Sequence, residues 1–421
     1  MVSKYKKIMV DILEKIESGQ LKKGDKIPSV RLLSQTYHCS KDTSQRALLE
    51  LKFKKVIYAV EKSGYYVLEG NLHKEGPLNL SLADYNKLAY EDFTLCMTET
   101  LVNRENYLFN YYHQHQGLEE LLTSLKTYLS KDAIYTRENN ILVTSGTQQA
   151  LYILSQMIFP NKKNQILLEQ PTYHRMIDLV QVQHLPYKTI DRGFDGIDLA
   201  KLEELFKTQS IKFFYTISRF SNPLGLSYTT LEKQKIVELA KRYDVYIVED
   251  DYMGDFAKSN DLPLHYYDTT DHVIYLKSFS MTLFPALRLG TLILPQLLTK
   301  TFLDYKQMID YDTNLIMQKA LSLYLDNGMF DKNVSYLRQV FQKQINKAEQ
   351  LLMKFSYPNH YTISSQNIIL EIPSTSHMGN LDFSSQINYL ENNYIDHLKK
   401  NIVQIPNDEN LSNNISLITK K

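Results

Sequence analysis

The chain of 421 residues is 43% hydrophobic and 23% charged, with a formal net charge of +1, a composition that excludes a disordered polyelectrolyte and leaves room for two or three cooperative units. No stretch reaches the roughly 20 uncharged apolar residues of a membrane span, and the opening MVSKYKKIMVDILEKIESG mixes acids among its apolar residues as a signal peptide does not, so a cytoplasmic protein with no membrane partner is expected. Cys39 and Cys96 are the only cysteines, which argues against a disulfide framework or a zinc centre, and no metal is expected.

The small total charge hides an asymmetry. Residues 1–70 hold 14 Lys and Arg against 8 Asp and Glu, whereas the remainder holds 34 against 39. A basic module on a mildly acidic body is suited to meet a polyanion through its first segment.

Taken in chain order, Ile8, Met9, Ile12, Leu13 and Ile16 recur at helical spacing, and Gly19 follows where a helix ends in the left-handed conformation. After the turn Lys23-Gly24-Asp25, Ser29 caps a short second helix whose Leu33 faces inward. Ser40 caps a third, with Ala47, Leu48 and Leu51 as its buried stripe and Lys41, Asp42, Ser44, Gln45 and Arg46 outward. The period then changes to alternation: Val56 to Val60, a turn at 61–64, and Tyr65 to Leu68 read as a β-hairpin. Three short helices and a hairpin make a winged helix-turn-helix, in which the third helix enters the major groove of double-stranded DNA.

The run ILEKIESGQLKKGDKIPSVRLLSQTYHCSKDTSQRALLELK resembles the GntR-type DNA-binding domain over its whole length. That resemblance implies a phosphate contact from Arg31, groove contacts from Lys41, Ser44, Gln45 and Arg46, and a wing tip at Lys62 and Gly64. The family pattern carries arginine where Lys41 stands; lysine keeps the attraction to phosphate and loses the two-pronged contact to guanine.

Residues 69–78, EGNLHKEGPL, are polar with Gly and Pro and show no period, which marks a linker between a first domain at 1–68 and a second at 79–421. Strand-like runs then alternate with helical ones, the pattern of an α/β fold with a mainly parallel sheet. The expected strands are 140–144, 165–169, 212–216, 245–248, 272–275 and 290–294, with long helices and a smaller α+β region from about residue 308.

The runs ILVTSGTQQAL, LLEQPTYHR, SNPLG, VYIVEDDYMGDF and YLKSFSMTLFPALRLG resemble, in order and spacing, fold-type I pyridoxal-phosphate aminotransferases. Behind a GntR-like module, such a domain is similar to the MocR subfamily of transcription regulators. A Gly-containing turn opening a helix offers backbone N–H groups to a phosphate. The resemblance implies that Thr147 and Gln148 meet that phosphate with Ser278, Ser280 and Arg288, that Tyr173 stacks on a pyridine ring, and that Asn222 and Tyr252 meet its phenolic oxygen. It implies that Asp250 pairs with the ring nitrogen.

Two departures bear on activity. Where the family's Ser-x-Ser-Lys-Thr motif carries its cofactor lysine, this chain has Met281, and a thioether is neither an amine nucleophile nor a base. Lys277, four residues earlier, is expected to be solvated or to face the phosphate. The second departure is the lack of any arginine after Arg338, although aminotransferases hold the substrate carboxylate with one near the C-terminus. The expectation is a homodimeric DNA-binding regulator, not an enzyme, with no covalent cofactor and with pyridoxal phosphate or a related small-molecule effector bound non-covalently. The alternative is a pyridoxal-phosphate enzyme that uses another lysine such as Lys277.

Overall fold

The computed structural model describes residues 4–54, 56–60, 63–68, 82–102, 115–354, 360–363, 367–371, 388–389, 402–406 and 411–412. The chain forms two compact units, Met1–Asn110 with Lys319–Ser335, and Tyr111–Gln318 with Tyr336–Lys421. The first unit takes in a stretch from far downstream, Lys319–Ser335. The expected linker at 69–78 lies outside the described residues.

The first unit begins with α1 (Lys4–Glu17), α2 (Val30–Thr36) and α3 (Lys41–Phe53). Ser29 and Ser40 cap the second and third, their hydroxyls accepting from the N–H groups of Leu32 and Thr43 at 3.2 and 3.1 Å. The strands β1 (Ile57–Val60) and β2 (Gly64–Val67) pair antiparallel, with Ile57 opposite Val67 and Val60 opposite Gly64. Ile8, Ile12, Leu33, Leu48, Leu51, Ile57 and Val67 fill one core beneath them.

The helix α4 (Leu82–Leu101) belongs to the same unit. It buries Ala89, Phe93 and Cys96, and its Asp92 forms an ion pair with Lys23 of the turn between α1 and α2. Gly24, beside that lysine, has φ of +85°, and a Cβ there would lie 3.1 Å from Leu95. Backbone freedom and closeness of approach both require glycine at this turn.

The second unit is built on an eight-stranded sheet. Its strands are β3 (Ile141–Thr144), β4 (Gln165–Gln170), β5 (Tyr187–Gly193), β6 (Gly196–Ile197), β7 (Ile211–Thr216), β8 (Tyr246–Asp250), β9 (Val273–Ser278) and β10 (Gly290–Ile293), in spatial order β3-β10-β9-β8-β7-β4-β5-β6. β10 runs antiparallel to both neighbours and β6 antiparallel to β5; the remaining pairings are parallel. All six expected strands are present, shifted by a few residues at their ends.

Alternation along these strands feeds two cores. Ile166, Leu168, Phe213, Tyr215, Tyr246 and Val248 point to one face, where α5 (Thr147–Gln156) and α6 (His174–Val182) pack. Leu167, Phe214 and Ile247 point to the other, covered by α7 (Leu199–Thr208) and α8 (Thr230–Arg242). Each large apolar side chain so buried is worth about 1.5–3 kcal/mol, which explains why the central strands read as unbroken apolar runs. β5 was not among the expected strands: its run YKTIDRG is polar because it lies towards the sheet edge, and it buries Arg192, whose charge is met by Glu169 at 3.0 Å.

The expected smaller C-terminal part is a four-stranded antiparallel sheet of β11 (Tyr361–Ile363), β12 (Asn367–Glu371), β13 (Asn388–Tyr389) and β14 (Ile402–Pro406), in spatial order β11-β12-β14-β13. Ile368, Leu370 and Ile405 pack there against Ala348 and Leu352 of the long helix Met329–Lys354. No helix among the described residues is long and apolar enough to cross a membrane.

Ser40→Ala removes the hydroxyl that caps α3, so a loss of about 1 kcal/mol in the stability of the winged-helix unit is expected in urea denaturation. An unchanged midpoint would show that the cap does not hold the helix start.

Candidate functional site

Two sites were expected, one in each unit. On α3, Lys41, Gln45 and Arg46 are exposed, and Arg31 is exposed on α2. Ser44 is the correction: it is fully buried, with its hydroxyl 3.3 Å from the Cys39 thiol. The cause is helical spacing, because positions 44, 47, 48 and 51 share one inward stripe and Ser44 begins it. It therefore does not face a groove. Gln45 donates to the Tyr65 hydroxyl of the hairpin at 3.1 Å, and the Arg46 guanidinium lies 4.6 Å above the Tyr5 ring. Both side chains are thereby held in place at the surface. Gly64 opens β2 with φ of +133°, and Lys62 lies outside the described residues.

In the second unit, Thr147, Gln148, Tyr173, Asn222, Asp250, Tyr252, Ser278, Ser280 and Arg288 all line one cavity of about 150 Å³. It lies at the ends of β3, β8 and β9 and in the turns that follow β4 and β7, where parallel strands deliver their carboxyl ends together. Met281 lines the same cavity, as do Gly146, Ile217 and Leu289. The last two escaped sequence reading because an apolar residue at a strand end carries no mark that separates it from core.

The turn after β3 is tightly built. Gly146 caps α5 with φ of +81°, and a Cβ on it would sit 2.7 Å from the Arg288 guanidinium. A Cβ on Gly290 would strike the backbone of Gly146 and Thr147 at 2.7 Å. Both glycines therefore permit backbone and arginine to converge where the N–H groups of α5 are unpaired. The Ser145 hydroxyl donates to Asp310, and the Gln149 side chain accepts from the Ser145 N–H at 2.9 Å. Ser278 and Ser280 face each other with their hydroxyls 3.2 Å apart.

Asp250, the last residue of β8, lines the cavity. The period of β8 turns Glu249 and Asp251 away from it, and both are satisfied: Glu249 accepts from the N–H groups of Leu264 and His265 at 2.7 and 2.9 Å, and Asp251 accepts from Arg219 Nε at 3.0 Å and Tyr275 at 2.6 Å. Asp250 accepts from the Tyr215 hydroxyl at 2.8 Å through Oδ2, while its buried Oδ1 has no hydrogen-bond partner among the described residues. Burial pushes its carboxyl up to about 6, with Asp251 adding to the rise and Tyr215 and Lys277 opposing it. A buried carboxylate oxygen left without a partner on a cavity-lining residue suits a protonated ring nitrogen. Tyr252 is linked to Asn222, and burial raises its hydroxyl well above the usual value.

Lys277 is neither solvated nor phosphate-facing. It is fully buried, its Nζ lies 2.7 Å from Asp255 Oδ2, and Tyr128 donates to the other oxygen of the same carboxylate. Strand alternation sends residues 277 and 278 to opposite faces, so Ser278 reaches the cavity and Lys277 does not. Arg338 is also occupied elsewhere, its Nε donating to the Asp255 carbonyl. Among the described residues, no group of three or more His, Cys, Asp or Glu could hold a metal ion.

Residues 76–387 match the family model for aminotransferase class I and II, and residues 4–67 match the one for bacterial regulatory proteins of the gntR family. The HTH-type transcriptional regulator YcxD of Bacillus subtilis (strain 168) is 41% identical across 83% of this chain and 80% of its own. The HTH-type transcriptional regulator NorG of Staphylococcus aureus (strain bovine RF122 / ET3-1) is 27% identical across 64% of this chain and 61% of its own. Among solved structures, kynurenine aminotransferase of Pyrococcus horikoshii superposes with a TM-score of 0.70 at 22% identity, covering 89% of this chain and 93% of that one, a likeness of fold.

The raised value of Asp250 has a consequence for stability. The folded state holds this proton more tightly than the unfolded chain, whose carboxyl titrates near 4, so stability falls as pH rises from about 4 to about 6. Asp250→Asn removes that loss, and the variant is expected to exceed the parent by about 3 kcal/mol at pH 8, with the gap closing below about pH 4. Urea denaturation across this range checks it; a difference between the two proteins that does not vary with pH would count against a strained carboxylate.

Proposed function

The chain belongs to the aminotransferase class I and II family and carries a gntR-family regulatory domain, the MocR-type architecture, and on that premise we propose a homodimeric regulator that senses its ligand without transamination. The reading assigns the winged helix to a DNA operator and the cavity to pyridoxal phosphate or a related small-molecule effector. It assigns the protein to the cytoplasm, where its operator is.

Met281 carries the proposal. It lines the cavity next to Ser280, at the position where the family motif carries lysine, and Lys277 is committed to Asp255. Bound pyridoxal phosphate supplies enzymes with an aldehyde and an electron-withdrawing ring, a chemistry that needs a protein amine to hold the aldehyde and to move a proton. Met281 has no nitrogen and no basic lone pair of that strength, so this chain's residues bind and orient only. The N–H groups that open α5, with Thr147, Gln148, Ser278, Ser280 and Arg288, would hold the phosphate. Tyr173 would cover the ring, Asn222 and Tyr252 would meet its oxygen, and Asp250 Oδ1 would receive its N–H⁺.

Exposed Lys41 and Gln45 on α3 would meet the groove, Arg31 a phosphate, and Arg46 the groove edge while stacked on Tyr5. A symmetric dimer would present two such helices to paired half-sites. Control by an effector requires unequal affinity for two arrangements of the protein, since equal affinity shifts neither.

Two measurements test the reading. In gel shifts on the DNA upstream of its own gene, Arg31→Ala should weaken binding on all sequences and lower the salt slope by about 1; an unchanged slope and affinity would remove Arg31 from the interface. After incubation with pyridoxal phosphate, borohydride and then desalting, the protein should carry no covalent pyridoxyl group by mass spectrometry. A pyridoxyl-lysine at any cavity position would refute the non-covalent assignment.

A further inference from the structure

Resting on the ligand reading above, we propose that the cavity recognises the phosphorylated pyridine as a scaffold and does not distinguish the aldehyde, amine and alcohol forms of its 4′ substituent, and that Met281 is the residue responsible. The groups suited to the scaffold are separate from those that could read that substituent. Phosphate recognition belongs to the Gly146 turn, Ser278, Ser280 and Arg288, ring stacking to Tyr173, and ring-nitrogen recognition to Asp250 Oδ1. None of these depends on the oxidation state at the 4′ carbon.

A lysine would favour the aldehyde through a bond available to no other form. The ε-amine attacks the carbonyl carbon, a carbon–nitrogen double bond replaces the carbon–oxygen one, and water leaves. Among the described residues that line this cavity, none is a lysine, and Arg288 is the cation. Lys277 is removed from competition by burial and by its 2.7 Å pair with Asp255. The aldehyde therefore gains nothing over the other forms.

Met281 also leaves little room for discrimination by shape or hydrogen bonding. The three substituents each consist of one carbon and one heteroatom, so they fill the same space. A thioether is flexible, polarisable, devoid of donors and only a weak acceptor, so it adapts to each form and rewards none. Strong selection among near-isosteres requires a polar group left unpaired by the wrong ligand, and a methionine at this position supplies none.

Isothermal titration calorimetry on the full-length protein with pyridoxal, pyridoxamine and pyridoxine 5′-phosphates tests the proposal. The three dissociation constants should agree within about threefold, and Met281→Leu should preserve that agreement. Met281→Lys should tighten the aldehyde alone by at least about tenfold, with a borohydride-stable mass increase, leaving the amine and alcohol unimproved. A parent protein that binds the aldehyde about tenfold or more tightly than the amine overturns this inference while leaving the ligand reading intact. Binding of no form by the parent overturns both. Circular dichroism of each variant separates a lost fold from a lost preference.

Discussion

Six strands that run the same way through a sheet covered on both faces impose the constraint from which the second unit follows. The central ones must bury both of their faces, so they are apolar along their length, and polar groups gather where those strands end. The carboxyl ends fall together at one edge, and there the chain places Asp250, Ser278 and the Gly146 turn. The side chains that meet in the cavity are drawn from a span of more than a hundred residues, yet no single segment has to be long or irregular to bring them together.

Within that arrangement the period of two along a strand decides which charges are spent and which are available. On β8 the consecutive acids Glu249, Asp250 and Asp251 alternate, so two are satisfied by backbone N–H groups, Arg219 and Tyr275, and the middle one, which lines the cavity, has one oxygen without a hydrogen-bond partner among the described residues. On β9 the same alternation buries Lys277 against Asp255 and turns Ser278 towards the cavity. A buried ion pair of this kind costs several kcal/mol to open by removing one partner, so Lys277 is not a spare amine. The cavity is left with serine hydroxyls, the Arg288 guanidinium, an aromatic face and a carboxylate, and with the Met281 thioether among them.

The winged helix obeys the longer period of a helix with equal consequence. Ser44 has the polarity of a base-reading residue and the register of a core residue, and register prevails because Ala47, Leu48 and Leu51 must share its side of α3. Gln45 and Arg46 remain outside, tied to Tyr65 and Tyr5. These contacts join α3 to the hairpin and to α1, so the exposed face of α3 is held by the small core and not by the helix alone.

Much of this protein was determined by sequence alone. The helix stripes from Ile8 to Leu51, the two serine caps, the hairpin and the six expected strands could be read because each depends on local spacing, and nine of the thirteen residues that line the cavity could be named through the resemblance of short motifs beside strand ends. The replacement of an amine by Met281 was equally plain. Tertiary structure alone decided what lies between distant segments: that Lys277 pairs with Asp255, that one Asp250 oxygen has no partner among the described residues, that Arg192 in the polar strand β5 is neutralised by Glu169, and that α4 joins the winged helix through Asp92 and Lys23. The reason is physical. Periodicity fixes which side of an element a residue faces, whereas the ionic partner it meets there belongs to another element, and no local pattern carries that distance.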